Sequence, residues 1–203
     1  MVIVAEISIH ILGMLLGLSI GWLTYRGYTI TRSPTMLRLT VAFVSIGLGF
    51  MVDTVDPYID GSYSMLSTTL SAVGYAFIAL AYSVQKGFKY MVPLLTLLTF
   101  LIYPFFTISG NSLEYVTKAI AFMLIVYGST QCMVISLAGR RAGSLMIASG
   151  IGLMAVAEFM DWYGMIFYSA LYTYLADLLK VSGISLILLT IYMLIRSMVR
   201  VNA

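Results

Sequence analysis

The sequence predicts an all-α, polytopic membrane protein with seven transmembrane helices. Of its 203 residues, 61% are hydrophobic and only 9% charged, whereas about a quarter of a soluble domain is charged. Its mean hydropathy is +1.01. The apolar residues fall into seven runs, each near the roughly 20 residues that a helix needs to cross a bilayer. Alternation of period two is absent, and runs of this length do not fit the roughly ten-residue strands of a membrane barrel. Seven spans with short connections use up the chain, so 1–203 reads as a single transmembrane domain.

Span one, 3–25, carries Glu6 and His10 one turn apart and then Gly13, Gly17 and Gly21. Glycines four apart form a stripe that lets a neighbouring backbone approach closely. The stripe is a packing signal for a helix of this chain or of another subunit. Span two, 36–56, follows the Arg32-Ser33-Pro34 turn and finishes on Asp53 and Asp56, with Pro57 closing the run. Span three, 64–84, begins after Asp60-Gly61-Ser62 and leads to Lys86 and Lys89. Span four, 90–108, has no charged residue and ends at Ser109-Gly110-Asn111. Span five, 114–138, opens with Glu114 and Lys118 and holds the single cysteine, Cys132, a small packing residue. Span six, 142–162, follows Arg140 and Arg141 and ends with Glu158 and Asp161. Span seven, 171–197, contains Asp177 and Lys180.

Charge placement orients these spans. Arg26, Arg32, Arg38, Lys86, Lys89, Arg140, Arg141, Arg196 and Arg200 flank alternate connections and the C-terminal tail. Positively charged flanks stay in the cytoplasm, which predicts a cell-membrane protein with its N-terminus outside and its C-terminus inside. The eight acids then gather toward the outer side, together with Lys118 and Lys180. A pI near 8.9 does not signal nucleic acid, because the basic residues sit at span ends and form no patch. The N-terminus lacks the basic region and small-residue cleavage site of a secretory signal.

The segment Ile46–Tyr58 aligns with Ile151–Tyr163: Asp56 matches Asp161, Tyr58 matches Tyr163, and Asp53 stands opposite Glu158. Gly74 falls opposite Gly183 after a gap of four residues. A parallel internal repeat in a 3+1+3 layout follows, with halves 1–89 and 113–203 joined by a linker helix in 90–112. This layout resembles that of SWEET, PQ-loop and related transporters, which are also N-out and place parallel repeats about an axis along the membrane normal. The resemblance is one of topology: the chain has no Pro-Gln dipeptide, so no residue role carries over.

Counting 1.5 Å per residue from the basic flanks puts Asp53, Glu158 and Lys180 deepest among the ionisable groups of the outer half. Charges within a span are costly and mark ligand or ion sites. Asp53, Glu158, Asp177 and Lys180, with Asp56 and Asp161 nearer the surface, are therefore the candidate solute- or ion-binding residues. The alternative is that these groups are solvated helix ends and that Lys118 and Lys180 extend outward to water. Glu6 and His10 supply half of a metal site at most, and are more readily a hydrogen-bonded pair. The single histidine excludes bis-histidine haem within this chain. A lysine beside an aspartate in a seventh span invites comparison with retinal proteins, but Lys180 counts to the outer end rather than mid-membrane. No phosphate loop, nucleophile elbow or HExxH motif is present. The expectation is a non-enzymatic protein without cofactor that binds or conducts a small polar or cationic solute through an acidic vestibule. The competing expectation is an accessory or sensor subunit of a larger membrane complex, docked through the glycine stripe and methionine-rich faces. Expected partners are the lipid bilayer and other membrane subunits or a second copy, with no nucleic acid.

Overall fold

The computed structural model of the protein describes residues 2–58, 64–83, 112–139, 142–167 and 169–201. Six α-helices follow one another within them: α1 (Val2–Thr31), α2 (Pro34–Val55), α3 (Ser64–Tyr82), α4 (Ser112–Gly139), α5 (Ala142–Ile166) and α6 (Ala170–Val201). All six contain a stretch long and apolar enough to cross a membrane. They coincide with six of the seven expected spans. The expected span at 90–108 lies outside the described residues, as do Asp60, Lys86, Lys89, Arg140 and Arg141.

The surface of the bundle is apolar where a soluble protein would be charged. Leu15, Trp22, Met123, Leu137, Leu171 and Tyr192 are all more than half exposed. Large apolar side chains on the outside of a helical bundle, with Glu158, Asp161 and Asp177 buried within it, suit lipid rather than water as the surrounding solvent. The chain is an integral membrane protein.

α1 runs past the expected end of its span to Thr31 because nothing breaks it before Arg32. Arg32 takes a left-handed φ of 53° and donates its N–H to the Tyr28 carbonyl at 2.8 Å, an αL-type helix stop. Ser33 is then extended ahead of Pro34, which opens α2, as the restriction on residues before proline requires. At the start of α2, Arg38 Nη1 donates to the Leu80 carbonyl at 3.1 Å, satisfying one of the carbonyls left over in the last turn of α3.

Each helix packs on the next: α1 on α2, α2 on α3, α3 on α4, α4 on α5 and α5 on α6, while α6 closes the ring on α1 along a shorter seam. α3 and α4 run in the same direction. The glycine stripe of α1 is used inside this ring. A methyl group on Gly17 would lie 2.9 Å from Gly47 Cα, and one on Gly13 or Gly21 would strike Phe50 or Val44. Gly13, Gly17 and Gly21 therefore seat α2 directly against α1 and are not free to dock another subunit. The α5–α6 contact has the same character, since a methyl group on Gly150 would stand 2.7 Å from the Gly183 carbonyl oxygen.

The interior divides along the bundle axis. Ile20, Ile46, Ile78, Ile125, Ile151, Met154, Ile184 and Ile187 are at most 1% exposed and fill one part. The other part, at the end formed by the start of α1, α3, α4 and α6 and the finish of α2 and α5, is polar. Arg26, Arg32 and Arg38 lie at the opposite end, around the α1–α2 turn.

Candidate functional site: an acidic cavity at one end of the bundle

Every one of the six helices contributes to a cavity of about 220 Å³ at the polar end. α1 supplies Glu6 and His10, and α2 supplies Phe50 and Asp53, with Asp56 just past its end. α4 brings Glu114 and Lys118, α5 brings Glu158 and Asp161, and α6 brings Thr173, Asp177 and Lys180. These are the carboxylates, at helix spacings of three or four, that the sequence placed on shared faces. The structure joins all six candidate residues, Asp53, Asp56, Glu158, Asp161, Asp177 and Lys180, in one site.

α3 adds a row that the charge pattern did not reveal: Ser64, Ser67, Thr68, Ser71 and Tyr75. Ser67, Ser71 and Tyr75 are spaced by four and so lie on one face. That spacing of neutral polar residues in an apolar run is the signal that marks α3 as a site helix. Tyr75 is 1% exposed; its ring belongs to the apolar core and its hydroxyl donates to Glu158 Oε1 at 2.6 Å.

The lysines do not extend outward. Lys180 Nζ stands 2.8 Å from Glu158 Oε1 and 3.6 Å from Asp161 Oδ2. Lys118 Nζ stands 2.9 Å from Asp161 Oδ2 and 4.0 Å from Glu114 Oε1. Both ammonium groups bridge two carboxylates within a largely buried cluster, with side-chain exposures of 13% each. The interior is a poor solvent for an isolated ion, so a buried cation at this depth is held by its counter-charges.

His10 does not bond to Glu6, one turn away. Its Nε2 lies 3.1 Å from Asp177 Oδ2 across the α1–α6 seam. Its Nδ1 is buried and has no hydrogen-bond partner. In the neutral tautomer that donates Nε2–H to the carboxylate Nδ1 is an acceptor, and in the imidazolium both nitrogens donate. Asp53 accepts a hydrogen bond from the Ser67 side chain and is within electrostatic reach of His10, Asp177 and Lys180. No group of three or more His, Cys, Asp or Glu among the described residues is arranged to hold a metal ion. Cys132 lies away from this cavity, in the apolar core and 2% exposed.

Toward the opposite end the interior of the described bundle is packed with apolar residues beyond Tyr75, including Ile78, Ile125, Met154 and Ile184. What the arrangement can do chemically is therefore to hold a small polar group. A cavity of 220 Å³ compares with a share of about 30 Å³ per water in the liquid. Comparison with protein families, with curated proteins and with solved structures finds no match for this chain.

Proposed function

We propose that this protein is a non-enzymatic membrane protein that binds a small polar solute in the acidic cavity, as the outward-facing site of a transporter or solute receptor. The observation that carries this reading is convergence. All six described helices send ionisable or hydroxyl side chains to one cavity, although each such group is costly in an apolar bundle. Solvated helix ends have no need to meet, and lysines free to reach water have no need to bridge buried carboxylates.

In this reading the acidic end faces outward, because Arg26, Arg32 and Arg38 at the other end follow the positive-inside preference. A 3+1+3 duplication is also part of it. Two features support the duplication: Asp53 and Glu158 both line the cavity, as do Asp56 and Asp161. Gly74 on α3 approaches the Ala42 carbonyl and the Ile46 side chain of α2, while Gly183 on α6 approaches the Gly150 carbonyl and Met154 of α5. Both contacts join a glycine to positions four apart on the preceding helix. They differ by three residues, or about one turn, from the register of the sequence alignment.

Neutralising Asp53 and Glu158 together, as Asp53→Asn with Glu158→Gln, is expected to abolish solute binding and uptake in proteoliposomes, and Asp53→Asn alone, which leaves the Lys180 contacts in place, is expected to weaken both. Unchanged binding and uptake in the folded double variant would remove the proposal. A role as an accessory or sensor subunit rests on the exposed methionines Met51, Met123, Met133 and Met193, since the glycine stripe is occupied. That role predicts a partner of fixed stoichiometry after mild detergent extraction.

A further inference from the structure

We infer that the ligand of this cavity is a small organic cation, an alkylammonium, whose charged group sits beside Asp53 and Glu6 rather than in the lysine cluster. The inference rests on the solute-binding reading above and names the chemical class of the solute. The cavity is charged unevenly. On one side Glu114, Glu158 and Asp161 face two lysines, and each lysine is in reach of two of them. On the other side Glu6, Asp53 and Asp177 have His10 as the titratable base in their midst, and Nε2 of that base is taken by Asp177. The charge of Lys180 is felt at Asp53, but its ammonium contacts are Glu158 and Asp161.

A second observation, independent of the acids, points to a ligand at the same place. His10 lines the cavity, is 7% exposed, and keeps a buried Nδ1 without a partner. A buried polar atom left unpaired is costly. That nitrogen, an acceptor in the neutral ring and a donor in the imidazolium, marks a polar position that a ligand completes. Phe50 stands 6.2 Å from the His10 ring, centroid to centroid, and also lines the cavity. An aromatic face beside carboxylates suits an organic cation. A metal ion lacks a ligand set here among the described residues, and a bare ion would leave most of the 220 Å³ unfilled.

The test is isothermal titration calorimetry of the purified full chain in mild detergent, with ethylammonium, choline and sodium chlorides and sodium acetate at constant ionic strength. Ethylammonium or choline is expected to give a saturable isotherm that sodium does not. Asp53→Asn is expected to weaken that binding at least tenfold, and Glu6→Gln to weaken it too, which keeps the test open if one variant fails to fold. Saturation by sodium to the same extent, or wild-type affinity in both folded variants, would overturn the inference. Saturation by acetate alone would also overturn it while leaving a polar-solute site in place. Absence of any saturable binding, with proteoliposome uptake of other polar solutes still lost in the Asp53/Glu158 double variant, would overturn the cation and keep the solute-binding reading.

Discussion

On the α4–α6 side of the cavity, two lysines are each shared between two carboxylates; on the α1–α2 side, Asp53 and Glu6 look toward a single imidazole already engaged by Asp177. The first side is complete in itself. Its three carboxylates share two ammonium groups at contact distance, and the Tyr75 hydroxyl fills a further acceptor site on Glu158. At Asp53 and Glu6 the second side carries negative charge that no lysine or arginine among the described residues meets at contact distance. The difference separates structural charge from available charge within one cavity. A buried ion pair holds its helices in register because either partner alone is costly to bury. Uncompensated carboxylates do the reverse, raising the energy of the empty site in exchange for affinity.

The largest test of this contrast is Lys180→Met, which leaves Glu158 and Asp161 short of a cation in a buried setting. We expect a loss of about 3–5 kcal/mol of stability, measured by denaturant unfolding in detergent. A loss below about 1 kcal/mol would show that the cluster is well solvated, and the contrast would disappear. Next is Tyr75→Phe, which removes one hydrogen bond to a charged acceptor and leaves the ring in place. The expected cost is about 1.5–3 kcal/mol, and it should shrink sharply when Glu158 is already Gln, as a double-mutant cycle would reveal. The smallest effect is expected on the other side. Asp53→Asn keeps an acceptor for Ser67 and relieves repulsion with Asp177, so the ligand-free protein should be unchanged or more stable by about 0.5 kcal/mol. A large destabilisation there would reassign Asp53 to the structural side.

The helices were legible because apolar runs of span length have few other uses, and the structure differs mainly at their ends. α1 outlasts its apolar run because helix geometry continues until a residue breaks it, here at Arg32. The acidic residues of the site were legible for a related reason: Asp53, Glu158 and Asp177 are conspicuous where charge is costly. Their partners were not. Helix spacing offered Glu6 for His10, yet the hydrogen bond goes to Asp177, 167 positions away. It offered Glu114 for Lys118, but the shorter contact is to Asp161. Local spacing reports only which groups share a face, whereas the choice of partner is made by the neighbouring helix. Tyr75 was hidden more deeply, since a tyrosine in an apolar run also fits an interface anchor, and its acceptor is 83 positions away.

The seam between α1 and α6 has a consequence for the order of assembly. Elsewhere in the ring each helix meets the next described one along the chain, so those contacts close early and need little loop entropy. The His10–Asp177 hydrogen bond cannot form until α6 has been synthesised and has docked against α1. During N-to-C synthesis the cavity therefore matures last. A nascent chain lacking α6 has Lys118 for Asp161 but leaves Glu158 without the ammonium group of Lys180. Docking of α6 delivers the missing cation and closes the ring in one step, so the site can exist only in a chain that has finished folding.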